Sequence, residues 1–191
     1  MSILTTPKLT TPEFLSPQWQ CLTTKPDTLG ESPFWNPHES RLYWLDIPGQ
    51  RLRRMTVTSD LSAKQVVEDW PLKEEPGCFA PAEQGGWVMA LRSGIYRANV
   101  WDGALTLLAP APYDTSKLRF NDGKCDPEGN FWAGTMYEPR DQAAGLLYAL
   151  QNNHQLQVKA AQVTVANGLA WSPDGKTIYW SDTASHCIRA W

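Results

Sequence analysis

The sequence predicts an all-β protein, a β-propeller built of four-stranded antiparallel blades, and three observations carry that prediction. Ten Trp, six Tyr and five Phe make up 11% of the chain while charged residues make up only 19%, a balance that suits strands better than exposed helices. Fifteen Pro and thirteen Gly punctuate the 191 residues at short intervals, leaving little room for long amphipathic helices. The same turn also recurs with a period of about 45 residues.

The repeat is read from the turns outward. The turn in SPFWNPHESRLYWLD, starting at Asn36-Pro37, overlays that in LAWSPDGKTIYWSD, starting at Ser172-Pro173, so that Trp35 falls on Trp171, Tyr43 on Tyr179, Trp44 on Trp180 and Asp46 on Asp182 without a gap. CDPEGNFWAGTM supplies a third copy from Asp126-Pro127. A weaker fourth, PAEQGGWVMAL, places Pro81 at that phase because Trp87 then matches Trp132. Turn starts at 36, 81, 126 and 172 are 45, 45 and 46 residues apart. Asn, Asp or Ser before Pro supplies a side-chain acceptor and a preset φ, as a type I turn favours.

Each period then offers four strands. A short apolar strand precedes the turn, and an aromatic one follows it at Arg41 to Asp46, Gly86 to Leu91, Asn130 to Thr135 and Lys176 to Asp182. Third strands are expected at Arg51 to Thr58, Ile95 to Asn99 and Leu146 to Gln151, with fourths at Lys64 to Trp70 and Gln155 to Val165. Four strands in about 45 residues is the arithmetic of a propeller blade; the alternative is a β-sandwich with accidental spacing.

The repeats run 31–75, 76–120, 121–166 and 167–191, the last incomplete, in one partial propeller domain, with residues 1–30 expected to pair with the last blade. Three and a half to four blades do not make a closed ring of the usual size, and an open one leaves a raw sheet edge. The expectation is therefore a chain shorter than its closed relatives.

Composition narrows the function classes. Seventeen Lys+Arg against twenty Asp+Glu give a net charge of −3 with no basic block, which argues against nucleic acid as a partner. No apolar run reaches membrane-span length, and the N-terminus lacks a basic start followed by an apolar core; a cytoplasmic protein is expected. Cys21, Cys78, Cys125 and Cys187 lie far apart with no C-x-x-C, so neither a zinc knuckle nor a redox pair is signalled. His38, His154 and His186 form no H-E-x-x-H pattern, and there is no G-x-S-x-G elbow, so zincin and serine-hydrolase routes lack support.

Equivalent positions in successive blades converge at the channel mouth. Five residues before each turn start stand Glu31, Pro76, Asn121 and Asn167. One carboxylate and two amides offer the hard oxygens that a divalent cation such as Ca²⁺, Mg²⁺ or Mn²⁺ prefers. Equally, these are polar residues at strand starts, solvated or bonding turn amides. Arg119 stands two residues before Asn121, so on a strand both project from one face and Arg119 aims a donor fork at the same point; a surface ion pair is the bland alternative.

Three ordered segments resemble the regucalcin/gluconolactonase family of six-bladed propellers, the senescence marker protein-like group. They are Gly30-Glu31-Ser32-Pro33, Arg119-Phe-Asn-Asp-Gly-Lys124 with Asp126-Pro127 and Ala133-Gly-Thr-Met136, and Asn167-Gly-Leu-Ala-Trp171 with Ser172-Pro-Asp-Gly175. The resemblance implies that Glu31 and Asn167 are ligands of one divalent cation (Ca²⁺, Zn²⁺, Mg²⁺ or Mn²⁺). It implies that Arg119 and Asn121 hold a sugar lactone beside that cation, with Glu138 as the substrate-binding glutamate of the Gly-Thr-Met segment, its register set against Pro139. The family's general-base aspartate belongs to a later blade, about one period past Asn167 and beyond Trp191, so no catalytic base is identified here; Asp174 and Asp182 lie in the turn and second strand of the present blade.

The function implied is metal-dependent hydrolysis of a sugar lactone to an aldonic acid, with the chain itself expected to be an incomplete and inactive fragment. The rival is a non-enzymatic binding platform, since Tyr43-Trp-Leu-Asp46 and Tyr179-Trp-Ser-Asp182 are similar to the Tyr-Trp-Thr-Asp repeats of receptor propellers.

Overall fold

A computed structural model describes residues 21–58, 60 and 66–191. The first sheet holds β1 (Gly30–Asn36), β2 (Arg41–Asp46), β3 (Arg51–Thr56) and β4 (Val67–Pro71), and the second β5 (Pro76–Pro81), β6 (Trp87–Leu91), β7 (Gly94–Ala98) and β8 (Thr106–Pro110). The third holds β9 (Leu118–Cys125), β10 (Phe131–Tyr137), β11 (Gly145–Leu150) and β12 (Leu156–Val163). The fourth consists of β13 (Ala166–Trp171), β14 (Ile178–Asp182) and β15 (Cys187–Ala190). Every sheet is an antiparallel meander in chain order. This is a β-propeller arrangement of four blades, as the turn period predicts. The expected fourth strand from Lys64 begins at Val67, and Lys64 itself lies outside the described residues.

The turns form for the reason their sequences give. Asn36 Oδ1 accepts from the His38 N–H at 3.1 Å and Asp126 Oδ1 from the Glu128 N–H at 3.0 Å, the two-residue side-chain turn that Asn and Asp provide. In the last copy, Ser172 Oγ accepts instead from the Thr177 N–H at 3.0 Å. Asp126 also takes the indole N–H of Trp132 at 2.8 Å, locking turn to second strand.

Apolar side chains pack between consecutive sheets. Tyr43, Leu45 and Trp70 of the first meet Phe79, Trp87 and Met89 of the second. Cys78 and Ala90 meet Phe120, Phe131 and Tyr148 of the third, and Trp132, Leu147 and Val163 meet Leu169 and Trp180 of the fourth. A buried large apolar side chain is worth about 1.5–3 kcal/mol, so these three interfaces hold the blades in order. Repeat copies differ in burial among the described residues: Tyr43 is fully buried against Trp87, whereas Tyr179, its copy in the fourth sheet, is 41% exposed.

First strands lie side by side around the axis. A Cβ on Gly77 of β5 would stand 2.4 Å from the Phe120 carbonyl of β9, so the two backbones touch there because Gly77 has no side chain. Of the segment before β1, Asp27 accepts from Trp44 Nε1 at 2.7 Å and pairs with Arg53, both in the first sheet; residues 1–20, the rest of the segment expected to pair with the last blade, lie outside the described residues. Among the described residues no helix is long and apolar enough to cross a membrane.

Candidate active site

The four positions at one repeat phase sit where each first strand departs from regular pairing. Register breaks between Glu31 and Phe34 in β1, between Pro76 and Cys78 in β5, and between Asn167 and Ala170 in β13. In β9, Phe120 and Asp122 pair with consecutive residues of β10, so Asn121 has no partner across the ladder. Such bulges re-aim a side chain out of the strand plane. The residue after Glu31 and the residue after Asn167 share a left-handed backbone, Ser32 at φ 52° and Gly168 at φ 53°. Glu31 and Asn167 are thus presented by the same local geometry.

Three of the predicted residues form one chain of hydrogen bonds. Arg119 Nη1 donates to Asn121 Oδ1 at 2.9 Å, and Asn121 Nδ2 donates to Asn167 Oδ1 at 3.1 Å and to the Ala166 carbonyl at 2.8 Å. Asn167 Nδ2 in turn donates to Thr183 Oγ1 at 2.7 Å. The amide orientations follow from these partners: Asn167 directs its oxygen toward Asn121, with a second lone pair to spare.

Arg119 is only 7% exposed and also donates to the Phe120 carbonyl at 2.9 Å. Burial and the positive charge of Arg92 and Arg140 lower its pKa against the pull of Glu138. It is a fixed interior cation rather than a surface one.

Glu138 follows β10 directly, with its backbone N–H on the Lys117 carbonyl at 2.9 Å. Its carboxylate lies 3.6 Å from Arg119 Nε, so Glu138 stands beside Arg119. Arg92 forks the same carboxylate at 2.8 and 2.9 Å and holds it below the usual range.

Glu31 does not join the hydrogen-bonded chain, yet it shares its surroundings. Burial and the charge of Asp122 raise its pKa, and Arg119 opposes them. Asp122 is the residue that the sequence reading passed over. Its Oδ2 accepts from the Gly168 N–H at 2.7 Å and its Oδ1 from the Gly123 N–H at 2.8 Å, tying β9 to the residue next to Asn167, while burial raises its pKa. Its signal was present, an Asp directly after the phase residue Asn121. A cleft of about 470 Å³ opens here, lined by Glu31, Phe34, Phe79, Asp122, Cys125 and Gly168 among others, so that all four first strands contribute.

Among the described residues no three His, Cys, Asp or Glu side chains gather as a cation-holding group. The oxygens assembled are those of one or two carboxylates with neutral amides. Asp182 faces its own blade, accepting from the Thr164, Val165 and Ala184 N–H groups, and is no part of this cluster.

Residues 29–191 match the model of the SMP-30/Gluconolactonase/LRE-like region. The chain belongs to that family. It is 43% identical over 169 residues to a 6-deoxy-6-sulfogluconolactonase of Pseudomonas putida, covering 88% of this chain and 56% of the relative. It is 35% identical over 176 residues to a regucalcin of Xenopus laevis, covering 90% and 57%. Among solved structures, a calcium-binding regucalcin from Agrobacterium tumefaciens superposes with a TM-score of 0.77 at 26% identity, covering 88% of this chain and 55% of that one. A gluconolactonase from Xanthomonas campestris gives 0.65 at 25% identity, covering 86% and 58%. The chain thus spans little more than half the length of the family members it matches.

Proposed function

We propose that the chain carries the lactone-binding site of a divalent-cation-dependent sugar lactone hydrolase, opening a lactone to an aldonic acid. The observation that carries this reading is the hydrogen-bonded chain Arg119–Asn121–Asn167, drawn from two blades, whose sequence neighbours Asp122 and Gly168 line, together with Glu31, a cleft of about 470 Å³. Family membership and the gluconolactonase relatives support it.

The residues present suit a hard divalent cation. Glu31 and Asp122 face one cleft, where burial and then the charge of Asp122 disfavour the ionised Glu31, a burden which a cation relieves, and amide oxygen from Asn167 is of the class Ca²⁺, Mg²⁺ and Mn²⁺ take; Zn²⁺ accepts carboxylate oxygen as well. Glu31 and Asn167 would hold it. When bound, such an ion polarises a lactone carbonyl and acidifies water. The remaining roles belong to the chain's own groups. Arg119, buried and fixed, donates toward substrate oxygen; Asn121, whose two amide N–H groups are engaged, offers the second lone pair of Oδ1 to a hydroxyl; the ionised Glu138 accepts from one.

The aromatic motif does not separate this from the platform reading, because Tyr43, Trp44 and Trp180 are 0%, 7% and 1% exposed and serve as blade core in either case. Calorimetric titration of D-gluconate into the whole chain with added Ca²⁺, Zn²⁺, Mg²⁺ or Mn²⁺ tests the binding site, and proton release from D-glucono-1,5-lactone in a pH-stat tests turnover. Cation-dependent binding with release at the uncatalysed rate is expected, since no general base is identified; no binding with any cation would overturn the lactone-binding reading.

A further inference from the structure

Arg92 stands outside every motif in the sequence, in the turn between β6 and β7, yet its side chain reaches two other segments. Nε and Nη2 donate to Glu75 at 2.9 and 3.3 Å, Nη1 and Nη2 to Glu138 at 2.8 and 2.9 Å, and Nη1 to the Thr115 carbonyl at 2.9 Å. All five guanidinium N–H donors are thereby engaged, leaving none for a ligand. The Glu138 bond crosses from the second blade to the third, and Thr115 lies in the segment leading into β9, which carries Arg119 and Asn121. Tyr113 OH closes the arrangement from the same segment, donating to the Arg92 carbonyl at 3.3 Å.

From this geometry we infer that Arg92 is a positioning residue of the substrate site, with Glu75 as its counter-anchor, and that it sets the Glu138 carboxylate, and through it Arg119, for binding the polyhydroxylated substrate. The inference rests on the lactone-binding reading. Bidentate guanidinium–carboxylate pairs impose geometry as well as charge. Without the fork, Glu138 keeps only a 3.6 Å approach to Arg119 and is free to close on that guanidinium, taking from the ligand the donor that Arg119 would offer. Lys in place of Arg92 keeps the charge but cannot fork two carboxylates.

The test is gluconate affinity, measured by calorimetry with the whole chain, its Arg92→Lys and Glu138→Gln variants and the double variant. Arg92→Lys is expected to melt within a few degrees of the unaltered chain and to weaken gluconate binding about tenfold, with no further loss when added to Glu138→Gln. Losses that add, or an unchanged affinity in Arg92→Lys, would overturn the inference while leaving the lactone-binding reading intact. Failure of gluconate to bind the unaltered chain would overturn both. A crystal structure of the unaltered chain with gluconate is independent of any variant's folding: Glu138 on a ligand hydroxyl with the Arg92 fork kept is expected, and Arg92 released from Glu138 would contradict it.

Discussion

Asp46 and Asp182, equivalent residues of the first and fourth blades, make the same hydrogen bond. Each Oδ1 accepts a backbone N–H seventeen residues earlier, Leu29 at 3.2 Å and Val165 at 3.0 Å. Both side chains are buried, and both tie the entry of a first strand to the end of a second. Burial pushes each carboxyl upward, but the N–H groups of Leu29 and Val165, aided by Arg51 for Asp46 and by Ser185 and Thr164 for Asp182, outweigh it and lower the pKa.

Depressed folded-state values make these carboxylates stabilising above the unfolded Asp value of about 3.9, a contribution lost as the pH falls through the folded value. The melting temperature is therefore expected to hold above about pH 5 and to fall steeply below about pH 4. Asp182→Asn, which cannot ionise, should lower stability near neutrality and flatten that acid limb. A limb identical to that of the unaltered chain would show that Asp182 does not contribute to it.

Repeat copies with different burial separate blade packing from strand propensity. Tyr43→Ala opens a cavity against Trp87 and is expected to cost about 3–5 kcal/mol. Tyr179→Ala, at the partly exposed copy, is expected to cost about 1 kcal/mol or less. Urea denaturation of the two variants decides it, and equal losses would contradict the blade order.

Ser32 sits at φ 52° where the fourth blade has Gly168. A non-glycine residue there carries roughly 1–2 kcal/mol of strain, and among the described residues its side chain gains a long bond to the Gly77 carbonyl at 3.5 Å. Ser32→Gly is expected to raise stability by about 0.5–1 kcal/mol after the entropy of the unfolded chain is counted. Gly77→Ala should act in the opposite sense, since its Cβ meets the β9 backbone. Thermal melts of both variants check the pair.

Much of the fold was legible because turn chemistry repeats. Asn36, Asp126 and Ser172 announce their turns through side-chain acceptors, and the aromatic strands after them fall within two residues of the observed β2, β6, β10 and β14. β8 was missed: Thr106–Pro110 has neither the aromatic content nor a marked turn before it. At the site, phase brought Glu31, Asn121 and Asn167 into view, and the strand period linked Arg119 to Asn121. The bulges were hidden, because Ser32 and Asp122 occupy positions where Gly77 and Gly168 advertise the irregularity in other blades. Arg92 was beyond reach, since its ion pair with Glu138 spans two blades and leaves no spacing to read.

Cation binding tests the central claim most directly. Calorimetric titration of Ca²⁺ into the whole chain should show a single site that Glu31→Gln and Asn167→Ala each weaken by at least about tenfold, while Asp174→Asn, in a turn remote from the cleft, leaves it unchanged. Equal affinity in Glu31→Gln and the unaltered chain would contradict a shared ion at the mouth of these four strands.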